Sequence, residues 1–281
     1  MLEMEKKKEE NIDLIKYLSS LGYAKNKAKT YVRLGFVKVN GKEINKLPYL
    51  LKENDIVKIE KKEEKNYNIH IVYEDDHYLV VDKEAGLLTI STSNQTKKEE
   101  DTLYKRVRAY LNHKHEYAFI VNRIDKETSG LVIFVKEEKL KEQLQKDWNT
   151  IVKKRNYIAI VPGVMTKKGH IDNYLYEDKM TFTHSTKVGG KRAITDYFPI
   201  KNNHQYTMLN VEIKTGRKNQ IRVHLKELGY PILGDKKYGS RINPLKRLAL
   251  HHDKISFLDP ISNKTLTFTS SVPKEFHDLF R

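Results

Sequence analysis

The sequence predicts an α+β protein: a mixed, largely antiparallel sheet with flanking helices, preceded by a small α/β module. Three observations carry this. At 281 residues and about 150 residues per domain, two domains are expected. Residues 12–60 pass from helical to two-residue periodicity, and a charged stretch without periodicity separates them from the rest. Beyond it, strand-like and helical runs interleave without the regular alternation that a doubly wound parallel sheet requires. The expected layout is a charged tail at 1–11, the module at 12–61, a linker at 62–68 and the larger domain at 69–281.

Composition narrows the class. Hydrophobic residues make up 38% of the chain and aromatics 10%, enough to bury a core. The absence of Cys excludes disulfides, iron–sulfur clusters, thiolate zinc sites and thiol nucleophiles. The longest apolar runs, such as Leu131–Val135, are too short to span a bilayer, and residues 1–11 lack the apolar core of a signal peptide. A soluble cytoplasmic protein is expected. Its 53 Lys+Arg against 37 Asp+Glu leave a net charge of +16, which favours polyanionic partners. From Leu14 to Lys42 there is no acidic residue, while Lys16, Lys25, Lys27, Lys29, Arg33, Lys38 and Lys42 are all basic. A merely solvated face mixes signs, so this stretch is an electrostatic patch.

In the module, Ile12, Leu14, Ile15 and Leu18 recur at helical spacing, with Gly22 just past a stop. Ala24, Ala28, Tyr31 and Val32 predict a second helix ending near Gly35. The period then drops to two in Phe36–Val39, and Asn40-Gly41 suits a tight hairpin because both residues tolerate positive φ. Asp55–Ile59 reads as a closing strand. Two helices and a small basic-faced sheet suit RNA docking better than catalysis. In the larger domain, strands are predicted at Ile69–Tyr73, Tyr78–Val81, Leu131–Val135, Tyr157–Val161 and Met208–Ile213, and helices at 102–112, 138–149 and 219–229.

No phosphate-binding, dinucleotide, zincin or serine-hydrolase motif is present, and the histidine spacings suit neither a helical nor a finger-type zinc site. No cofactor or metal is therefore expected. Three runs stand out. Asn122–Leu131 sets Asp125 among cations in a polar turn entering a strand, where the residues alone allow a turn-capping Asp. Thr215–Leu225 takes a Gly turn into a helix whose Ile221, Leu225 and Leu228 face the core, with Arg222 about 100° off that stripe. Arg beside a buried seam is costly unless it meets a carboxylate. Lys154–Gly163 puts Tyr157 at the start of a strand, where core packing explains it equally well. Eleven Arg occur in this Lys-dominated chain, and Arg123, Arg155, Arg217 and Arg222 fall in these runs. A planar fork is required where a carboxylate, phosphate or base is held in fixed orientation.

Leu18, Gly22, Ala28, Gly35, Val37, Val39-Asn40-Gly41 and Asp55 resemble the RNA-binding module of the ribosomal protein S-four type, with Lys25-Asn26 where members often carry Ser-Arg. The three runs, with Gly190–Ala193, Thr195, Tyr197, Gly229, Pro231, Gly234-Asp235, Tyr238-Gly239 and Leu248–His251, resemble the RluA family of pseudouridine synthases from about residue 69 onward. Asn122 stands for a His of that pattern, Ile124 for a Leu, Lys218-Asn219 for Thr-His, and the 83–86 loop lacks its Pro.

The resemblance implies the pseudouridine synthase fold and isomerisation of uridine to pseudouridine in RNA. It implies Asp125 as catalytic carboxylate, acting as nucleophile on sugar or base or as a base at the sugar's 2′ position. Arg222 is implied as the partner that holds Asp125 ionised and aimed, Tyr157 as the residue stacking on uracil and available for the final proton removal, and Arg123 as the group filling the space of the everted nucleotide. The implied partner is large-subunit ribosomal RNA, with transfer RNA as alternative, bound by a monomer without membrane contact. The module and Lys191-Arg192 are expected to make phosphate contacts. The other class of function is a non-catalytic RNA-binding or ribosome-assembly factor on the same scaffold, which has no need of Asp125, Tyr157 and Arg222 together.

Overall fold

A computed structural model of the chain describes residues 12–33, 35–60, 67–91 and 101–281. The predicted tail and most of the predicted linker (62–66) lie outside the described residues. The chain divides into two compact units, one of Met1–Tyr67 with Arg108–Tyr117, the other of Asn68–Val107 with Ala118–Arg281.

The first unit contains β1 (Ile12–Asp13), α1 (Leu14–Ser20), α2 (Lys25–Arg33), β2 (Val37–Val39), β3 (Lys42–Glu43), β4 (Leu50–Leu51) and β5 (Val57–Ile59). Asp13 caps α1, accepting from the backbone N–H of Ile15 at 3.0 Å and of Lys16 at 3.2 Å. The apolar stripes of both helices meet the inner face of the β3-β2-β5 sheet around Leu14, Leu18, Ala28, Val32 and Val37. Asn40 (φ 50) and Gly41 (φ 78) form the expected turn between β2 and β3. The Asn40 side chain also donates to Asp55 at 2.8 Å and accepts from the Ile56 N–H at 2.9 Å, joining this turn to the approach to β5. Of the predicted basic patch, Lys38 is paired with Glu60 at 2.5 Å, whereas Lys16, Lys25 and Lys29 are exposed along a groove beside Leu47 and Pro48.

The second unit is built on one sheet. In chain order its elements are β6 (His70–Glu74), β7 (Tyr78–Lys83), α3 (Leu103–His113, which crosses the unit boundary), β8 (Phe119–Ile120), β9 (Ser129–Val135), α4 (Glu138–Lys146), α5 (Trp148–Ile151), β10 (Val152–Pro162), β11 (Gly169–Glu177), β12 (Thr183–Thr186), β13 (Lys191–Asn202), β14 (Tyr206–Ile213), α6 (Gln220–Glu227), β15 (Leu250–Leu258), β16 (Thr265–Thr269) and α7 (Lys274–Asp278). The strand order is β12-β11-β13-β14-β10-β15-β9-β7-β6, with β16 on β15 and β8 on β9. β9 and β15 run parallel and the other ladders are antiparallel, so the mixed, largely antiparallel sheet is as expected.

All seven residues of β9 are buried, which explains why it reads as a continuous apolar run rather than an alternating one. The helix expected at 138–149 is two, broken at Asp147. β10 begins five residues before Tyr157, because Val152–Asn156 pair with β15. Leu228, expected in the core, is 39% exposed, because α6 ends at Glu227 and the chain turns away at Gly229. No helix among the described residues is long and apolar enough to cross a membrane.

Candidate active site

Asp125 lies on the turn ahead of β9, and backbone acceptors on that turn tie it down. Thr89 Oγ1 donates to the Ile124 carbonyl at 2.7 Å, and the Gly86 N–H to that of Lys126 at 2.9 Å. Lys83, fully buried at the end of β7, donates its Nζ to the carbonyls of Glu84 (2.8 Å), Leu87 (2.7 Å) and Lys126 (2.9 Å). One ammonium thereby joins the 84–87 loop to the Asp125 turn. Burial pulls Lys83 down to about 7, partly opposed by Glu127 and Asp125.

Arg222, one turn into α6, is buried and faces Asp125 across 3.6 Å from Nη1 to Oδ2. Its closer carboxylate is Asp235, which takes Nε and Nη2 at 2.8 Å each in a bidentate pair. Nη1 also donates to the Asn219 side-chain oxygen at 2.9 Å. Burial works against the Arg222 charge, but Asp235 and Asp125 more than offset it and leave its pKa raised. For Asp125 the balance is opposite: burial raises its carboxyl, opposed by Arg222, Lys237 and the backbone N–H of Asn219. This carboxylate has a cation on one side and some of its surface open, the side chain being 27% exposed.

Tyr157 is buried on β10 and stacks on His252 of β15, ring centroids 4.4 Å apart and planes 14° from parallel. A β-bulge produces this: Asn156 pairs with Lys254 and Ile158 with His251, so His252 and Asp253 together oppose Tyr157. The His252 Nδ1–H donates to the Leu131 carbonyl at 2.8 Å, and burial lowers this imidazole to about 3, so it is neutral. Burial raises the Tyr157 phenol, with the Asp125 charge adding to the shift, so the phenol stays protonated at neutral pH. Gly130 lets the two parallel strands close: a Cβ there meets the His252 backbone N at 2.6 Å and O at 2.3 Å.

Asp125, Arg222 and Tyr157 are therefore brought together. Arg123, beside Asp125, is exposed and has no hydrogen bond or ion pair to another described residue. The other two arginines of the three runs donate to backbone: Arg155 to the Lys214 carbonyl, and Arg217 to that of Arg192 at 2.9 Å. Sequence reasoning missed Asp235 as partner of Arg222, His252 beneath Tyr157, Lys83 and Asn219. A signal for Asp235 existed, since a buried Arg demands a carboxylate and Gly234-Asp235 follows thirteen residues on.

An RNA pseudouridylate synthase family model matches residues 77–227, and an S4 domain model matches residues 14–57. The chain is 29% identical over 283 residues to ribosomal large subunit pseudouridine synthase D of Pasteurella multocida, covering 92% of this chain and 86% of that protein. Its counterpart in Zymomonas mobilis subsp. mobilis is 32% identical over 237 residues, covering 76% and 72%. An uncharacterized RNA pseudouridine synthase of Bacillus subtilis, YhcT, is 31% identical over 222 residues, with the same coverage. Among solved structures, Human RNA Pseudouridylate Synthase Domain Containing 1 superposes with a TM-score of 0.60 at 18% identity, over 75% of this chain and 86% of that one. Domain Containing 4 gives 0.58 at 22% identity, over 74% and 90%. These two likenesses concern the fold.

Proposed function

We propose that this chain, which belongs to the RNA pseudouridylate synthase family, converts uridine to pseudouridine in large-subunit ribosomal RNA with Asp125 as its reacting carboxylate. It is an isomerase acting on RNA. In the reaction the bond from uracil N1 to the ribose C1′ breaks, the base turns, and C5 bonds to C1′. The C5 proton is lost and N1 gains one, so nothing is consumed. Two routes use the same carboxylate: attack on sugar or base, or proton removal at the 2′ position.

The observation that carries this reading is the chain Asp125–Arg222–Asp235. A guanidinium fixed by a buried carboxylate directs its remaining nitrogen at a second, partly open one, 3.6 Å away. The guanidinium opposes the upward push of burial on the Asp125 carboxyl and so supports an ionised, oriented form of it. Tyr157, flat on His252, supports stacking against the uracil. A protonated phenol supports that role over proton removal by a tyrosinate. Arg123, exposed beside Asp125, is the side chain proposed to fill the stack when the nucleotide is everted.

Residues 12–61 are proposed as the RNA-docking module and 69–281 as the catalytic domain of a cytoplasmic monomer. The large-subunit assignment follows the names of the Pasteurella and Zymomonas relatives. Its test is tritium release from large-subunit ribosomal RNA transcribed with [5-³H]uridine, because the C5 hydrogen leaves in this reaction and in no simple binding event. Release from that RNA and not from a transfer RNA pool is expected. Release from transfer RNA alone contradicts the substrate, and release from neither contradicts the function.

A further inference from the structure

Arg155 lies two residues before Tyr157 on β10, so strand alternation puts both side chains on one face, roughly 7 Å apart along the strand. Only 7% of the residue is exposed. Its Nη2 donates to the Lys214 carbonyl, whereas the buried Nε makes no hydrogen bond, and Nη1 makes none among the described residues. Arg222, buried to a similar degree, has Asp235 and Asp125 around it. Arg155 has no ion pair with a carboxylate among the described residues. Burial works against its charge, and the neighbouring Arg217 guanidinium adds to that. A buried charge without a counter-charge is costly, and one backbone carbonyl accounts for one nitrogen of three. The guanidinium ends against the turn that leads into α6. A Cβ on Gly216 would stand 3.1 Å from Nη1, and this exposed glycine leaves that position open. The next residue, Arg217, gives its Nε to the Arg192 carbonyl at 2.9 Å, and its terminal nitrogens make no hydrogen bond among the described residues.

We propose that Arg155 and Arg217, which meet at Gly216, bind one phosphate of the RNA backbone next to the uridine held on Tyr157. The inference rests on Tyr157 being the surface against which that base stacks. A phosphodiester supplies the negative charge that this pair of guanidiniums lacks, and its oxygens match their planar forks. A glycine between the two lets the phosphate approach Nη1 with no side chain in the way. Uracil is neutral when it enters the site, so it does not offset two positive charges. An everted nucleotide carries its phosphates with it, and holding one of them fixes how far the base reaches along β10 toward Tyr157.

The test compares Arg155→Gln and Arg155→Lys with wild type, by filter binding of large-subunit ribosomal RNA between about 50 and 300 mM salt and by tritium release from the same RNA. With glutamine, affinity is expected to fall about tenfold, the log–log salt slope to fall by roughly 0.7–0.9, and kcat to stay within about threefold of wild type. Lysine keeps the charge without the fork, so its slope matches wild type while its affinity drops. An unchanged slope in Arg155→Gln overturns the proposal, and a fall in kcat alone assigns the guanidinium to the base instead. If the glutamine protein does not fold, the wild-type protein decides. Each linkage flanking the mapped target uridine is replaced singly by an uncharged methylphosphonate, and each RNA is compared with its phosphodiester counterpart. One linkage is expected to weaken binding about tenfold when neutralised, and equal binding throughout overturns the proposal. Tritium release by wild type separates the two readings. With no RNA converted, the proposed function fails and the subsite with it. With RNA converted and the slope of Arg155→Gln unaltered, only the subsite fails.

Discussion

Arg222 gives its Nε and Nη2 to the two oxygens of Asp235, at 2.8 Å each, and leaves Nη1 3.6 Å from Asp125. Asp235 is 1% exposed and also accepts from the backbone N–H groups of Lys237 (3.1 Å) and Tyr238 (3.0 Å). The tight pair is therefore the structural one, and the looser pair faces the open side of the site. A guanidinium locked by one carboxylate needs little reorganisation to serve the other.

Asp235 should accordingly matter to turnover without touching substrate. Asp235→Asn keeps the shape but weakens the clamp, and kcat is expected to drop about a hundredfold. Asp235→Ala strands a buried guanidinium at a cost of about 3–5 kcal/mol and lowers the melting temperature sharply. Wild-type turnover in Asp235→Asn by tritium release would show that Arg222 does not depend on it.

Tyr157 lies flat on a neutral His252, and burial keeps its phenol protonated. Stacking is then what the ring supplies. Tyr157→Phe is expected to keep turnover within about tenfold of wild type, while Tyr157→Leu, which removes the ring, loses at least about a hundredfold. A Phe variant as inactive as Leu assigns the hydroxyl a chemical role instead.

Lys83 offers a test by pH. Its folded pKa is lowered by burial to about 7 from an ordinary 10.5, with Glu127, Asp125 and Glu84 pulling it up and Arg247 pulling it down. Between those two values the unfolded chain binds the extra proton, so the Lys83 contribution makes stability rise with pH across that window. The slope is at most about 1.4 kcal/mol per pH unit for one proton. Denaturant unfolding from about pH 7 to 10 should show this rise in wild type and a flatter profile in Lys83→Met. Parallel profiles would mean that Lys83 carries no such linkage.

The exposed Lys16, Lys25 and Lys29 line one groove of the first unit. If they meet phosphates, the triple alanine variant binds RNA less tightly, and the log–log salt slope falls by roughly 0.7–0.9 for each phosphate no longer neutralised. Filter binding between about 50 and 300 mM salt measures it. An unchanged slope places the RNA elsewhere.

How much of this was readable from sequence depends on the reach of each signal. The Asn40-Gly41 turn, the β9 run and the Gly216 entry to α6 are written in neighbouring residues, and the structure has them where local chemistry puts them. The union of Asp125, Arg222 and Tyr157 was legible only through the resemblance, because spacing alone left Asp125 a turn cap and Tyr157 a core residue. Asp235 and Asp125 both answer the demand of a buried Arg222 for a carboxylate. Only the folded chain distinguishes the bidentate partner from the one at 3.6 Å. His252 lies beneath Tyr157 through a bulge between two strands distant in sequence, which no local pattern encodes. The left-handed backbone of Asn219 was hidden because Asn ahead of a helix reads as an ordinary cap.

The most direct measurement is single-turnover conversion of uridine in large-subunit ribosomal RNA by Asp125→Asn, with RNA affinity measured alongside. The account predicts unaltered affinity and a rate at least about 10⁴-fold below wild type, as for loss of a group that forms or breaks bonds. Conversion at near the wild-type rate by a protein lacking that carboxylate would contradict it.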